Sequence, residues 1–207
     1  MNAGFPSLAT CHESGVELPA LVWRFAQPLR CVSTAAVGGG ITRCAWIVNA
    51  QVESSYRRTD LQAHAEQLAA SLSLDGHGPV MLTGVDVRRR QTADVDGAVV
   101  TATVGVADPV WAADSESRSA AVVGTINVVV FVPVAIAVAG MVNLVATLTE
   151  AKCQALQHAN VPGTGTPTDA VTVVCPENDN LEPFGGPRST WGARVANAAF
   201  EAIAAGL

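Results

Sequence analysis

The sequence predicts an α+β fold, a single layered domain in which β-hairpins pack against two or three helices. Strand-like segments come first and a mixture of strands and helices follows, without the regular strand–helix alternation of a doubly wound sheet. Hydrophobic residues make up 49% of the 207 residues and charged residues only 14%, which favours a tightly packed core. Because no internal linker divides the chain, we expect one domain over residues 19–207 after a loose segment over residues 1–18.

The first part of the chain predicts three strands and one helix. The strands are expected at residues 21–25, 29–36 and 41–52, and the helix at residues 59–72. Gln27 and Pro28 separate the first two strands, so we expect a hairpin there. Asp60 is the expected N-cap of the helix, whose apolar face includes Leu61 and Leu68.

The second part predicts four strands and two helices. The strands are expected at residues 80–87, 99–106, 128–132 and 171–174, one helix at residues 135–158, and a last helix after Ser189. The turn at residues 94–97 predicts a second hairpin, since Asp-Val-Asp-Gly is typical of tight turns. Small polar residues at 112–119 predict a surface loop. Ser189 is the expected N-cap of the last helix, whose apolar face includes Trp191 and Val195.

One long apolar run allows a membrane interpretation. Residues 122–148 contain no charged side chain, and about 20 apolar residues suffice to span a bilayer. Against this, Asn127 and Asn143 would lie inside lipid, and Pro133 interrupts the run after a valine-rich stretch that favours a strand. We therefore predict a buried strand followed by a buried helix, and no membrane insertion.

Charge and cysteine content narrow the class of protein. A formal net charge of −6 offers no basic surface for nucleic acid. The five cysteines are odd in number, have no metal-ligand spacing and follow no secretory signal pattern, so we expect a cytoplasmic protein without a metal site. The histidines also lack metal-ligand spacing, and His64 is predicted on an exposed helix face. The oligomeric state stays open.

Polar residues gather at the ends of the apolar elements between positions 124 and 169. Gly-Thr-Ile-Asn at 124–127 opens a buried strand, Thr-Glu-Ala-Lys at 149–152 closes the expected helical run, and a glycine- and threonine-rich loop at 163–169 leads into the next strand. Such groups typically form one concave site at the rim of a sheet.

These motifs resemble the adenosylcobinamide amidohydrolases of corrinoid salvage. The likeness extends from about residue 29 to 202 and is most specific between 124 and 169. The resemblance implies hydrolysis of the amide that joins a propionyl side chain of the corrin ring to the aminopropanol arm, which turns adenosylcobinamide into adenosylcobyric acid. It implies a corrinoid as substrate and no cofactor.

The resemblance and the chemistry of amide hydrolysis together select two sets of residues. The candidate catalytic residues are Glu150, Lys152, Thr164, Thr166 and Asp169. The candidate substrate-binding residues are Gly39, Gly40, Asn49, Thr125, Asn127, Gly165 and Thr168.

Each candidate has an ordinary structural interpretation beside the functional one. Glu150 is our preferred proton-transfer group, and Lys152 is either a site residue or a cation that counters the helix dipole. The two lie two residues apart on the expected helix and therefore point in different directions. The loop threonines supply a nucleophile, hold a water or only form the turn. Asp169 orients a neighbour or only starts a strand, and Asn127 binds a carboxamide or pins a loop.

Several positions depart from the family pattern. Pro167 stands where a second loop glycine is expected, and proline fixes φ and removes an N–H donor. Gly38, Asp108 and Arg188 stand where asparagine, asparagine and histidine are expected. These departures leave open a corrinoid-binding protein that has lost catalysis, and an amidohydrolase acting on another amide.

Overall fold

The computed structural model describes residues 4–13, 15–114 and 124–207, which fold as one α+β domain and confirm the predicted fold class. Strands in these ranges are β1 (Ser7–Glu13), β2 (Val16–Ser33), β3 (Gly40–Gln51), β4 (Val80–Thr83), β5 (Gln91–Val95), β6 (Ala98–Val104), β7 (Ile126–Phe131) and β8 (Ala170–Cys175). The α-helices are α1 (Leu61–Ser71), α2 (Val138–His158) and α3 (Thr190–Gly206), and a 3₁₀ turn covers Val87–Arg89. Residues 115–119 of the predicted surface loop and residues 1–3 and 14 of the predicted loose segment lie outside the described ranges.

The strands form one mixed sheet in the order β4-β3-β2-β8-β7-β6-β5. The pairs β3–β4 and β7–β8 are parallel, and the other neighbours are antiparallel. β1 pairs antiparallel with residues 16–22 of β2, on the edge that β8 occupies further along at residues 30–33. The long strand β2 therefore joins all parts of the sheet.

The hairpin predicted across Gln27 and Pro28 is wrong, because residues 16–33 form the single strand β2. Its pairing with β3 shifts register between Arg24 and Leu29. Pro28 cannot donate a backbone hydrogen bond, and a bulge is one of the few places in a sheet that tolerates this. The sequence signal for a turn therefore marks a bulge.

The loose segment predicted over residues 1–18 is also wrong for most of its length. Ser7–Glu13 forms β1, and β2 begins at Val16. Most side chains of β1 are exposed, although Cys11 is buried. Backbone hydrogen bonds to β2 hold this strand in place. Because most of its side chains are exposed, the sequence has no alternating apolar pattern that would predict it.

Other predicted elements agree with the structure more closely. The turn of the second hairpin is confirmed, with Asp96 and Gly97 both at positive φ (48° and 89°), but the strand that pairs with β6 is β5, which the sequence analysis did not predict, and β4 pairs with β3 instead. The strand predicted at residues 80–87 ends at Thr83. Ser189 caps α3 by accepting a hydrogen bond from the Gly192 N–H. Asp60 is the N-cap residue of α1, but its carboxylate binds Arg58 instead of capping the helix.

The buried strand and helix predicted in the long apolar run are confirmed as β7 and α2. β7 lies inside the sheet, and α2 packs with α3 over the strands that follow β2 in the sheet order. Among the helices that the structure describes, none is both long and apolar enough to cross a membrane.

The sheet curls so strongly that distant strands meet on its inner face. Asn49 of β3 donates a hydrogen bond to Thr103 of β6 at 3.0 Å, although three strands separate β3 from β6 in the sheet order. Asn127 of β7 donates to the carbonyl of Leu82 on β4 at 3.1 Å. α1 covers the outer side of the β1–β3 part. The curl leaves a concave inner surface at one rim of the sheet.

The helical layer supplies a test of the fold. Leu144 of α2 is fully buried against α3 and the sheet, whereas Val142 on the same helix is 50% exposed. We expect Leu144→Ala to lower the free energy of unfolding by about 2–5 kcal/mol, because it leaves a cavity. Val142→Ala is the matched control, expected to change it by less than about 0.5 kcal/mol. Urea denaturation measures both, and equal effects would contradict the described packing.

Candidate functional site

A cavity of about 450 Å³ opens at the rim where β7 and β8 begin and β2 ends. Because β7 and β8 are parallel, their first residues meet at the same edge of the sheet, and antiparallel β2 brings its end there. The wall is mostly apolar, with a polar strip at the start of β7 and β8. The lining residues are 34–37, 80–84 and 167–170, together with Val52, Tyr56, Leu61, Thr125 and Asn127.

The Asp169 carboxylate, immediately before β8, accepts hydrogen bonds from four donors. Oδ1 accepts from the Thr166 hydroxyl at 2.5 Å and from the Ile126 N–H at 2.9 Å. Oδ2 accepts from Lys152 Nζ at 2.5 Å and from the Thr166 N–H at 3.1 Å. Since a carboxylate offers about four lone-pair sites, Asp169 is saturated and serves to position its neighbours.

Lys152 reaches this carboxylate from α2, and its side chain is only 10% exposed. Gly165 passes directly over the ion pair, and a Cβ there would lie 2.5 Å from Lys152 Nζ and would overlap Asp169 Oδ2. Only glycine therefore lets the loop close over the pair.

Glu150 lies on the exposed face of α2 and does not line the cavity. Residues two positions apart on a helix point about 200° apart around its axis, so when Lys152 faces the loop, Glu150 faces solvent. The structure does not bring Glu150 together with the other candidates.

The four threonines of the predicted site have different surroundings. Thr125 and Thr168 line the cavity with their hydroxyl oxygens 2.6 Å apart. The Thr166 hydroxyl is bound to Asp169. The Thr164 hydroxyl accepts from the Ala112 N–H at 3.0 Å and lies 3.4 Å from the Val110 carbonyl. Thr164 thus anchors the loop to residues 110–112, and only the pair Thr125–Thr168 faces the cavity.

Asn127 joins the cavity to the inner face of the sheet and is 1% exposed. Its Nδ2 donates to Asn49 Oδ1 at 2.9 Å and to the Leu82 carbonyl. Asn49 is buried behind it and does not line the cavity. Asn127 Oδ1 is buried and accepts no hydrogen bond from the residues described. A buried acceptor of this kind suits a donor group of a ligand.

Gly39 and Gly40 do not line the cavity. A Cβ on Gly39 would overlap the carbonyl oxygen of Ala35, so this glycine allows the chain to pack behind the cavity wall. Gly40 has φ +97° with open space around it, and its role is the turn into β3.

The sequence analysis missed Tyr56 and misplaced His64. Tyr56 lines the cavity, and its hydroxyl lies 2.8 Å from His64 Nδ1. His64 is 3% exposed, so its predicted exposed position is wrong. Its Nε2 lies 3.5 Å from Glu13 Oε1. No rule of sequence spacing connects positions 13, 56 and 64. A histidine in the first turns of a helix, four residues after the expected N-cap Asp60, was a possible signal. In the part of the chain described, no group of three or more His, Cys, Asp or Glu side chains is arranged to hold a metal.

The ion pair of Lys152 and Asp169 supplies a stability test. We expect Asp169→Asn to lower the free energy of unfolding by about 3–5 kcal/mol, because it leaves a buried lysine without its counter-charge. The double variant Asp169→Asn/Lys152→Met removes both charges and is expected to recover part of this loss. Urea denaturation compares the two. A single variant as stable as the wild type would refute the structural role of the pair.

Comparison with known proteins identifies the family of this chain. A family model described as adenosylcobinamide amidohydrolase matches residues 3–207. An adenosylcobinamide amidohydrolase of Halobacterium salinarum is 32% identical over 146 residues, which cover 67% of this chain and 62% of that protein, and one of Methanosarcina mazei is 28% identical over 185 residues, which cover 85% and 88%. The chain thus spans less than two thirds of the first relative. Because the family match extends over nearly the whole sequence, this chain belongs to the adenosylcobinamide amidohydrolase family.

Proposed function

We propose that this protein hydrolyses the aminopropanol amide of adenosylcobinamide and releases adenosylcobyric acid. The family match over residues 3–207 is the observation that carries the proposal. The cavity supports it, because an apolar wall meets a strip of hydroxyl and amide groups there. In the reaction, the carbonyl carbon gains a C–O bond from water and loses its C–N bond. The two protons of water end on the leaving amine and the new carboxyl group.

The cavity volume sets how the substrate fits. About 450 Å³ lies in the range of small-molecule sites, but a corrin ring with its adenosyl group is far larger. The aminopropanol arm and the scissile amide therefore enter the cavity, while the ring stays at the rim beside Pro167 and Thr168, which are both exposed.

In this proposal, the individual groups of the polar strip have different roles. The Thr125 and Thr168 hydroxyls are hydrogen-bonded to each other, and the Thr168 hydroxyl also makes a long contact of 3.4 Å with the Gly124 carbonyl oxygen. When Thr125 donates to Thr168, the Thr168 O–H turns from this long contact to the amide carbonyl oxygen as negative charge develops there. Asn127 Oδ1 is buried beneath the cavity surface, so it accepts from an N–H of the substrate only when a side chain of the wall moves aside. The Thr166 N–H is committed to Asp169 and Pro167 has none, so these two positions add no oxyanion donor. Lys152 acts through Asp169 by holding the loop.

A direct assay tests the proposal. Purified protein is incubated with adenosylcobinamide, and mass spectrometry is expected to detect aminopropanol and adenosylcobyric acid in equal amounts. An absorbance change of the corrinoid without release of aminopropanol would instead indicate a corrinoid-binding protein that has lost catalysis. If neither binding nor turnover occurs, the size of the cavity favours a smaller amide as substrate.

The hydroxyl at position 168 provides the first prediction on activity. We expect Thr168→Val to lower kcat about 10²–10³-fold, because removing one oxyanion donor has effects of this size. Thr168→Ser keeps the hydroxyl and is expected to recover most of the activity. Steady-state kinetics with adenosylcobinamide measures both, and a fully active valine variant would remove Thr168 from the site.

The exposed carboxylate of Glu150 on α2 provides the second prediction on activity. Glu150→Gln is expected to leave kcat and KM within about 3-fold of the wild type, since surface changes away from a site are usually small. The same assay measures it. A loss as large as that of Thr168→Val would show that Glu150 takes part in the reaction.

A further inference from the structure

The groups assigned so far do not include a proton acceptor for the attacking water. Asp169 already accepts four hydrogen bonds, Lys152 is its paired cation, and Glu150 lies outside the cavity. The threonine hydroxyls are very weak bases. Amide hydrolysis nevertheless has to move a proton from water to the leaving nitrogen.

Tyr56, which lines the same cavity, belongs to a chain of three polar side chains. Its hydroxyl lies 2.8 Å from His64 Nδ1, and His64 Nε2 lies 3.5 Å from Glu13 Oε1. β1 carries Glu13, the loop before α1 carries Tyr56, and α1 carries His64. The His64–Glu13 contact is an ion-pair distance and not a hydrogen bond in this ligand-free structure, and catalytic contacts often tighten only when the substrate binds.

The carboxylate of Glu13 determines the direction of proton transfer between Tyr56 and His64. An ionised Glu13 only accepts, so the proton of a neutral His64 is on Nε2. Nδ1 is then an acceptor, and the Tyr56 hydroxyl donates to it. The Tyr56 oxygen keeps lone pairs that are able to receive a proton from a molecule in the cavity. A nucleophile or water, a histidine base and an orienting carboxylate occur in the same sequence in catalytic triads.

Burial keeps His64 neutral at neutral pH. Burial lowers the pKa of His64, and so does the nearby Arg58, while Glu13 and Asp60 raise it. Burial, followed by the charge of Glu13, raises the pKa of Tyr56, so the phenol stays protonated. Tyr56, His64 and Glu13 also line a second cavity of about 460 Å³ on the far side of Tyr56, where the other charged or titratable residues are His12, Glu53, Arg57 and Arg58.

We propose that Tyr56, His64 and Glu13 form a proton relay that activates the hydrolytic water, an inference that rests on the proposed function. The water gives a proton to the Tyr56 oxygen as its own oxygen bonds to the carbonyl carbon, and the Tyr56 hydroxyl proton passes to His64 Nδ1. Glu13 balances the imidazolium. When the C–N bond breaks, His64 returns the proton through Tyr56 to the leaving nitrogen. Tyr56 is then a catalytic residue, and His64 and Glu13 act through it.

The central test of the relay removes the hydroxyl oxygen of Tyr56. We expect Tyr56→Phe to lower kcat about 10²–10⁴-fold, the usual contribution of general acid–base catalysis, with KM within about 3-fold. His64→Gln is expected to show a similar loss. His12→Gln is the matched control, because His12 is exposed and outside the relay, and it is expected to keep wild-type kcat. A Tyr56→Phe variant with kcat within 3-fold of the wild type would overturn the relay and leave the proposed function intact.

The pH profile separates catalysis from a structural role. Only neutral His64 accepts a proton, so kcat/KM of the wild type is expected to fall as the pH drops through the pKa of His64, which lies below the ordinary value of 6.5. Glu13 raises this pKa, so Glu13→Gln is expected to shift the acid limb to lower pH. A merely structural Glu13 would change stability and leave the limb where it is, and that result counts against the relay.

A measurement independent of turnover completes the test. Nitrogen NMR of His64 is expected to show the tautomer with its proton on Nε2, and Tyr56→Phe is expected to shift the Nδ1 resonance. A proton on Nδ1 in the wild type would overturn the proposed direction of transfer even if the enzyme is active. A wild type that binds but does not cleave adenosylcobinamide would refute the proposed function, and the catalytic assignment of the relay would fall with it, whatever the tautomer.

Discussion

The hydrogen-bonded carboxylate of Asp169 is the constraint on which the rest of the candidate site depends. Its donors come from α2, from the glycine- and threonine-rich loop and from the first residue of β7, so one side chain ties three separate parts of the chain together. Because the pair with Lys152 is largely buried, breaking it leaves a charge with little access to water. Gly165 closes over the pair, and this places Thr168 beside Thr125 at the cavity.

The curled sheet supplies the second requirement, a polar surface that is buried and rigid. Asn127, Asn49 and Thr103 bond to one another across strands that are far apart in the sheet order. Such a network holds the Asn127 amide in a fixed orientation before a ligand arrives, which is the preorganisation that electrostatic stabilisation needs. Asn127 Oδ1 is buried without a donor among the described residues, and this free-energy cost is consistent with a site shaped for a ligand.

The polar strip and Tyr56 come from different halves of the sequence. The hydroxyl and amide groups lie in residues 125–169, whereas Tyr56 lies in the loop before α1 and Leu61 is the first residue of α1. In the proposed reaction, one side would stabilise the developing oxyanion and the other would transfer the proton. β1 contributes Glu13 to the proposed relay, because Glu13 is the last residue of this strand.

The sequence by itself determined the α+β class, the turn between β5 and β6, the three helices and most of the polar strip, because local turn chemistry and apolar periodicity carry that information. Its family resemblance was equally readable in the motifs between residues 124 and 169. Only the tertiary structure decided that residues 16–33 form one bulged strand, that residues 7–13 pair as β1, and that Lys152 rather than Glu150 faces the loop. The position of His64 and its contacts with Tyr56 and Glu13 were decided in the same way. Pairing between distant backbones and the rotation of a helix about its axis depend on contacts between remote residues, and no local pattern records them.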